Sequence, residues 1–344
     1  MALIWNWGVS TDQTPAKLLA AGWYSSNPSS TATDCSATKK HTYASDAVSD
    51  RASLRFDQGH LRVALYSPAK SVAVQGWCAA AVYNVGQWAN YGTRTGLHIG
   101  DGTTEIKVMP TDNIAASSRM TLYIAGVAQA SSTTYYASDA WHWMAVKYDG
   151  SASTIGASLW VDGVEAITNQ TQATSAFVAA DMRVGVNTMT YDSTPVGETY
   201  WADLVAWDSV SDAGHAELWC STFPVTGDDS DSGGWTKSTG STFYGVTAPW
   251  NVATYAEEAT PLSGDNVLMT CADIATRLGI SPATIHGATA HLVAQGGGDV
   301  QAIIGSTATA GTTVTTSGVA PTPAFVTSTA ITVGTALKCG IKVP

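Results

Sequence analysis

WHWMAVKYDGSASTIGASLWVDGVEA, from Trp141 to Ala166, decides how this chain is read. Side chains on a strand alternate sides, so Trp141, Trp143 and Ala145 share one face and His142, Met144 and Val146 the other. Both faces are largely apolar, which predicts a central strand covered on both sides. Asp149 and Gly150 open a loop of about seven residues, where glycine is expected to supply a positive φ. ASLWV (157–161) returns as the partner strand. Asp162-Gly163, between Val161 and Val164, predicts a two-residue hairpin. Acids beside tryptophans also suit a sugar-cleaving site or a calcium site. Turn chemistry accounts for both Asp-Gly pairs without a ligand.

The same alternation recurs along the 344 residues. SLRFD (53–57), LRVALYS (61–67), WCAAAVYN (77–84), TGLHIGD (95–101), EIKVM (105–109) and MTLYIAG (120–126) all read as strands. Three short helices are expected, at 14–22, 211–219 and 271–279, the last closed by Gly279. Many short strands with little helix predict an all-β sandwich or barrel. Composition changes after Trp219, and 11 of the 13 tryptophans lie at or before it. TGDDSDSGG (226–234) reads as a polar linker. The expected organisation is a sandwich over 1–222, a linker over 223–234 and a smaller β domain over 235–344.

Composition narrows the function. Charged residues are 12% of the chain and the net charge is -11, so no basic stripe is available to neutralise phosphates and nucleic acid is not an expected partner. No apolar run is long enough to span a membrane. MALIWNWGVS lacks a basic n-region and an apolar segment of signal length, which predicts synthesis in the cytosol or exit by another route. The five cysteines, Cys35, Cys78, Cys220, Cys271 and Cys339, show no CxxC spacing and read as reduced structural thiols, with no zinc site.

The Trp-His pair opening a strand, the YDG loop and SLWVDG resemble the central hairpins of concanavalin A-like lectin/glucanase sandwiches, in the laminin G-like branch. YWADLVAWDSVSDAGHAELW (200–219) is similar to that branch's closing motif, a strand carrying an acid followed by a short helix. The resemblance implies a concanavalin A-like jelly roll over 1–222. It leaves function open, since this fold hosts lectins, hydrolases and adhesion modules. ATYAEEATPLSGDNVLMTCADI, TIHGATAHLVAQ and ALKCGIKV look like C-terminal β domains of tailed-phage virion proteins. That pairing implies a fibre, spike or capsid-decoration protein located in the virion.

The chemistry of the site residues was read from spacing. Sandwich glycosidases place two carboxylates on one strand face. Of the six glutamates (105, 165, 198, 217, 257 and 258) only Glu105 has an acid two or four residues away, Asp101, and the family's Glu-x-Asp-x-x-Glu pattern is absent, so no enzyme is expected. SATK (36–39) sits in a loop-like segment and reads as chance. His142 reads as a packed polar residue. His286 and His291 would face opposite sides of a strand, and DDSDSGG lacks the acid that would complete a calcium loop. No metal or cofactor is expected. The expected ligand site is the loop at 84–96, where Trp88 could stack on a sugar ring beside Asn90 and Tyr91, although large aromatics are usually buried. The expectation is therefore a non-enzymatic phage particle component, trimeric by preference, with capsid or tail proteins as partners and host glycans as a further contact. The rival readings are a stand-alone lectin and a polysaccharide hydrolase acting through Asp203 or Glu198.

Overall fold

The computed structural model describes residues 3–9, 13–14, 18, 24–25, 33–36, 39–41, 51–56, 64–66, 74–85, 95–100, 104–114, 116–174, 177, 181–186, 198–208, 217–221, 223, 225–240, 242, 256–257, 259–279, 285–305, 309–311, 313–316, 322–328, 331 and 335–344. The chain is all-β and forms two compact units. One comprises residues 1–19, 23–42 and 50–221; the other comprises 20–22, 43–49 and 222–344. The first unit contains β1 (Leu3–Trp7), β2 (Tyr24–Ser25), β3 (Thr33–Ser36), β4 (Ser53–Phe56), β5 (Ala64–Tyr66), β6 (Gln75–Val85), β7 (Thr95–Gly100) and β8 (Glu105–Ile114). It continues with β9 (Ser117–Ile124), β10 (Val127–Ser131), β11 (Tyr136–Ala137), β12 (Trp141–Asp149), β13 (Thr154–Val161), β14 (Val164–Ala173), β15 (Asp181–Val186) and β16 (Glu198–Trp207).

These strands build the two antiparallel sheets of a jelly-roll sandwich. The first runs β14-β13-β12-β6-β16-β4-β3, with β1 also paired to β16. The second runs β10-β9-β8-β7-β15-β5-β2, with β11 on β9. Strand parity assigns the faces. Cys78, Ala80, Val82, Met144, Val146 and Trp201 point inward from the first sheet and are almost fully buried. Leu97, Ile99, Ile106, Val108, Leu122 and Val184 answer them from the second. The first sheet is covered on its outer face as well. There Trp77, Ala79, Ala81, Trp143, Ala145, Trp160 and Trp207 pack with Leu3 and Cys220, and no residue of the second sheet joins them. Small residues along the strands leave room for the indoles between them. β12 is thus the doubly buried central strand its sequence predicts.

The Asp162-Gly163 hairpin forms as expected, with Val161 opposite Val164 and positive φ at both turn residues (53° and 78°). The Asp149-Gly150 turn differs. β13 begins at Thr154, so four residues connect the strands, and Gly150 is not at positive φ. Glycine is needed there for space, since a Cβ would lie 2.6 Å from the Phe177 ring. Asp149 shapes the turn by accepting from the Ser151 backbone N–H (2.9 Å) and hydroxyl (2.6 Å).

The second unit contains β17 (Val225–Ser232), β18 (Thr236–Lys237), β19 (Ala256–Glu257), β20 (Asn266–Cys271), α1 (Ile274–Leu278), β21 (Ala288–Ala294), β22 (Asp299–Gly305), β23 (Thr309–Ala310), β24 (Val314–Thr315), β25 (Thr322–Ser328) and β26 (Lys338–Lys342). Its main sheet runs β17-β20-β26-β22-β23. The stretch expected to be a linker is the edge strand β17, bulged at two points against β20. Its polarity misled because main-chain pairing and polar contacts, Lys338 to Asp229 (2.8 Å) and Asn266 to Ser232 (2.9 Å) among them, hold most of it, while exposed Asp228, Asp229 and Asp231 leave a charged edge that discourages further pairing. α1 is shorter than the helix expected at 271–279 but ends at Gly279 as the sequence predicts, and Asp273 caps its start. Asp273 accepts from the N–H groups of Ala275 and Thr276, and Gly279 ends the helix in the left-handed region at φ 68°. The helices expected at 14–22 and 211–219 fall largely outside the described residues.

Candidate functional site

β16 is the pivot of the first unit. Upstream, Thr199, Tyr200 and Trp201 pair with β4; downstream, Leu204 to Trp207 pair with β1. The change of partner coincides with a bulge of one extra residue, since Ala202 faces Ala81 but Val205 faces Ala79. Asp203 lies in the bulge at φ 52°, in the left-handed region that is uncommon for a residue with a Cβ. The bulge turns its buried carboxylate toward the outer face of the sheet.

There Asp203 organises three groups. It accepts the Cys220 backbone N–H at 2.6 Å, faces Arg51 at 3.6 Å and bonds His41 Nδ1 at 2.5 Å. The other nitrogen, His41 Nε2, lies 2.7 Å from Glu217 Oε1. A ring with an acceptor on each nitrogen is satisfied only as imidazolium. Burial alone would lower the His41 pKa, but the bonds from the two carboxylates outweigh it and raise it to about 9. Three tryptophans surround this cation: Trp141 at 5.1 Å, Trp143 at 6.5 Å and Trp219 at 6.0 Å between ring centroids. Trp219 and Glu217 are exposed, so the clamp reaches the surface.

A row of cross-strand neighbours runs from this clamp across the sheet. Trp141 lies opposite Tyr83, Tyr83 opposite Tyr200, and Tyr200 opposite Arg55. Strand register therefore places three aromatic rings and a guanidinium side by side on one face. The rings meet edge-on, at 5.6 Å for Trp141–Tyr83 and 6.2 Å for Tyr83–Tyr200. Lys39 donates to the Tyr83 hydroxyl (2.9 Å) and sits 4.5 Å from the ring centroid. That bond, followed by attraction to nearby acids, raises the Lys39 pKa despite slight desolvation. At the far end Arg55 donates to Glu198 (2.5 Å), and so does the Tyr200 hydroxyl. These two bonds hold the Glu198 carboxyl below its usual range, so it is ionised at neutral pH. Arg55 and Glu198 are each 30% exposed. The outer face, sealed elsewhere by its apolar cluster, is thus open where this row ends.

The expected ligand residues Trp88, Asn90 and Tyr91 lie outside the described residues. Glu198 and Asp203, the carboxylates of the hydrolase reading, do share a site. Spacing alone sets them on opposite faces, five residues apart, and the bulge reverses that parity. Asp203 is 2% exposed and acts through His41, while Glu198 reaches solvent. Lys39, His41, Arg55, Tyr83 and Trp219 were not foreseen as site residues. Of these, Trp219 lies in the closing motif at 200–219, as does Glu217. His142 is the buried polar residue expected, bonded to Asp162 (2.7 Å) and the Ala137 carbonyl (2.9 Å). Among the described residues, no group of three or more His, Cys, Asp or Glu side chains could hold a metal ion.

No family profile and no curated protein matches the chain. Solved structures do. The catalytic domain of a glycoside hydrolase family 131 protein from Coprinopsis cinerea is 15% identical with a TM-score of 0.41, covering 63% of this chain and 98% of that domain. A GH131 β-glucanase catalytic domain from Podospora anserina is 20% identical (TM-score 0.35; 52% and 80% covered). The carbohydrate-binding module CBM66 from Bacillus subtilis is 10% identical (TM-score 0.33; 55% and 96% covered). At these values the likeness is one of β-sandwich fold. It corrects one expectation. The missing acid pair had been read as ruling out an enzyme, yet catalytic domains are among the sandwiches similar to this one, so that exclusion is withdrawn. Capsid or tail partners, a virion location and a trimer find no counterpart in these likenesses.

Proposed function

We propose that the first unit is a carbohydrate-recognition sandwich that holds a glycan chain at the open end of its first sheet. The observation that carries this reading is the exposed Trp219 and Glu217 beside the half-buried Trp141, with the partly exposed Arg55 and Glu198 fixed at the far end of the same row by the buried Tyr83 and Tyr200 between them. An indole presents a flat apolar surface, the complement of the C–H face of a sugar ring, while fixed carboxylates and cations suit its hydroxyls. The Lys39–Tyr83 and Arg55–Glu198 bonds hold these groups in place before a ligand arrives, which lowers the ordering cost of binding.

The reading is tested by presenting the purified chain to an array of plant, fungal and bacterial polysaccharides. Binding to at least one class is expected, weakened tenfold or more by Trp141→Ala and by Trp219→Ala. Binding to none would overturn the proposal.

Hydrolysis is a second reading with its own observation. Two solvent-reaching carboxylates, Glu198 and Glu217, lie toward opposite ends of the row, and glycoside cleavage requires a pair. Cleavage predicts release of reducing ends from the bound glycan, lost by at least 100-fold in Glu198→Gln.

A further inference from the structure

The second unit brings two cysteines together that lie 68 positions apart in the chain. Cys271 ends β20 and Cys339 lies within β26, and these strands are paired neighbours. Cys339 is opposite Met269, and the Cys271 N–H donates to the Leu337 carbonyl, so the two thiols are diagonal neighbours on one face. Their sulfurs are 3.6 Å apart. Cys271 is buried with Ile274 and Leu337, while Cys339 is only partly buried at the edge of the same cluster. The other described cysteines, Cys78 and Cys220, are fully buried in the first unit.

We propose that Cys271 and Cys339 are an oxidisable dithiol, closed to a disulfide by exchange with a small-molecule disulfide, and that closure locks the C-terminal strand to β20. This stands independently of the glycan reading. Cys339, the more accessible sulfur, attacks first. Its S–H proton goes to solvent, its sulfur bonds to one sulfur of the small disulfide, and the other half leaves as a thiolate. Cys271 then attacks the Cys339 sulfur, expels the second small thiolate and gives up its proton to it. Overall, two protein thiols are oxidised and one small disulfide is reduced to two thiols. The contact supports this direction of attack. The contact between the two sulfurs holds the Cys339 thiol below its usual pKa and pushes Cys271 up. The sulfurs already lie 3.6 Å apart, and because the two cysteines are diagonal and not directly opposite, closing to a bond of about 2.05 Å combines side-chain rotation with a local drawing together of β20 and β26.

The test uses the full chain carrying Cys35→Ser, which removes the one cysteine whose surroundings lie outside the described residues. Reduced protein is incubated with oxidised glutathione under native conditions, then unfolded for thiol titration and non-reducing peptide mapping. The expected result is a peptide linking Cys271 to Cys339, lighter by two hydrogens, with Cys78 and Cys220 left as thiols. The second unit should melt about 10 °C higher when linked, because a long loop is closed in its unfolded state. Cys271→Ser should trap glutathione on Cys339, and Cys339→Ser should abolish both the link and the shift in melting. Cys339→Val provides the same readout should serine disturb folding. Two unlinked thiols after oxidation of folded protein, a wild-type Cys339 that stops at the glutathione adduct, or a bridge to Cys78 or Cys220 would each overturn the proposal.

Discussion

Asp203 shows how much one residue can organise. A backbone in the left-handed region is costly for a residue with a Cβ, by about 1–2 kcal/mol, and the bonds to His41, Arg51 and Cys220 offset that cost. Asp203→Asn keeps an acceptor for the Cys220 N–H but removes the charge. Destabilisation on the order of 2–4 kcal/mol at pH 7 is expected, because the buried His41 and Arg51 lose their counter-ion. The pH dependence follows from His41. Its folded pKa of about 9 lies above the ordinary histidine value of 6.5, so its contribution is complete below about pH 6.5 and is lost as pH rises through about 9. Melting temperatures measured from pH 6 to 10 should fall across that window in the wild type and much less in Asp203→Asn. This role was hidden in the sequence because strand parity assigns residue 203 to the wrong face, and a bulge depends on which strands pair. Asp162 was legible only in part. Its turn was readable from Asp-Gly between valines, but not its bonds to the Trp143 N–H (2.8 Å) and to His142.

At the level of elements, the two glycines at Gly163 and Gly76 separate conformational strain from steric conflict. Gly163 has φ 78° and open space around its missing Cβ, so Gly163→Ala should cost only about 1 kcal/mol. Gly76, at φ 146°, would place a Cβ 1.9 Å from the Trp207 carbonyl oxygen, where β6 meets β16. Gly76→Ala forces backbone apart in the central pair and should cost about 3 kcal/mol or more, or prevent folding. Chemical denaturation of the two variants checks the contrast. Strands were well marked in the sequence wherever one face or both faces are buried, as in β6, β7, β12 and β16. They were poorly marked where pairing and polar contacts hold them. β17 carries acids instead of apolar alternation and so resembled a linker. Likewise, no local pattern discloses that Trp141, Tyr83, Tyr200 and Arg55 form one row, because that requires the register of four strands drawn from distant parts of the chain.

For the whole molecule, burial on both faces of the first sheet determines where function can lie. Most of the outer face is filled by tryptophans, alanines and the buried Tyr83 and Tyr200, and it reaches solvent at the two ends of that row, at Trp219 and Glu217 beside the half-buried Trp141 and at Arg55 and Glu198. The all-β class was legible from short alternating strands, and the jelly roll was what the resemblance of the Trp141 hairpins and the 200–219 motif implied. The site was not, because its groups come from Lys39 to Trp219 and converge only after folding. The most direct measurement of the central claim is the indole N–H spectrum of the 15N-labelled chain, titrated with a polysaccharide that the array identifies as bound. The account predicts that the signals of Trp141 and Trp219 move in proportion to occupancy while those of the buried Trp5 and Trp201 stay fixed, and that Trp219→Ala weakens the titration at least tenfold while the chain stays folded. A saturable titration that leaves Trp141 and Trp219 unmoved and shifts other indoles would contradict it.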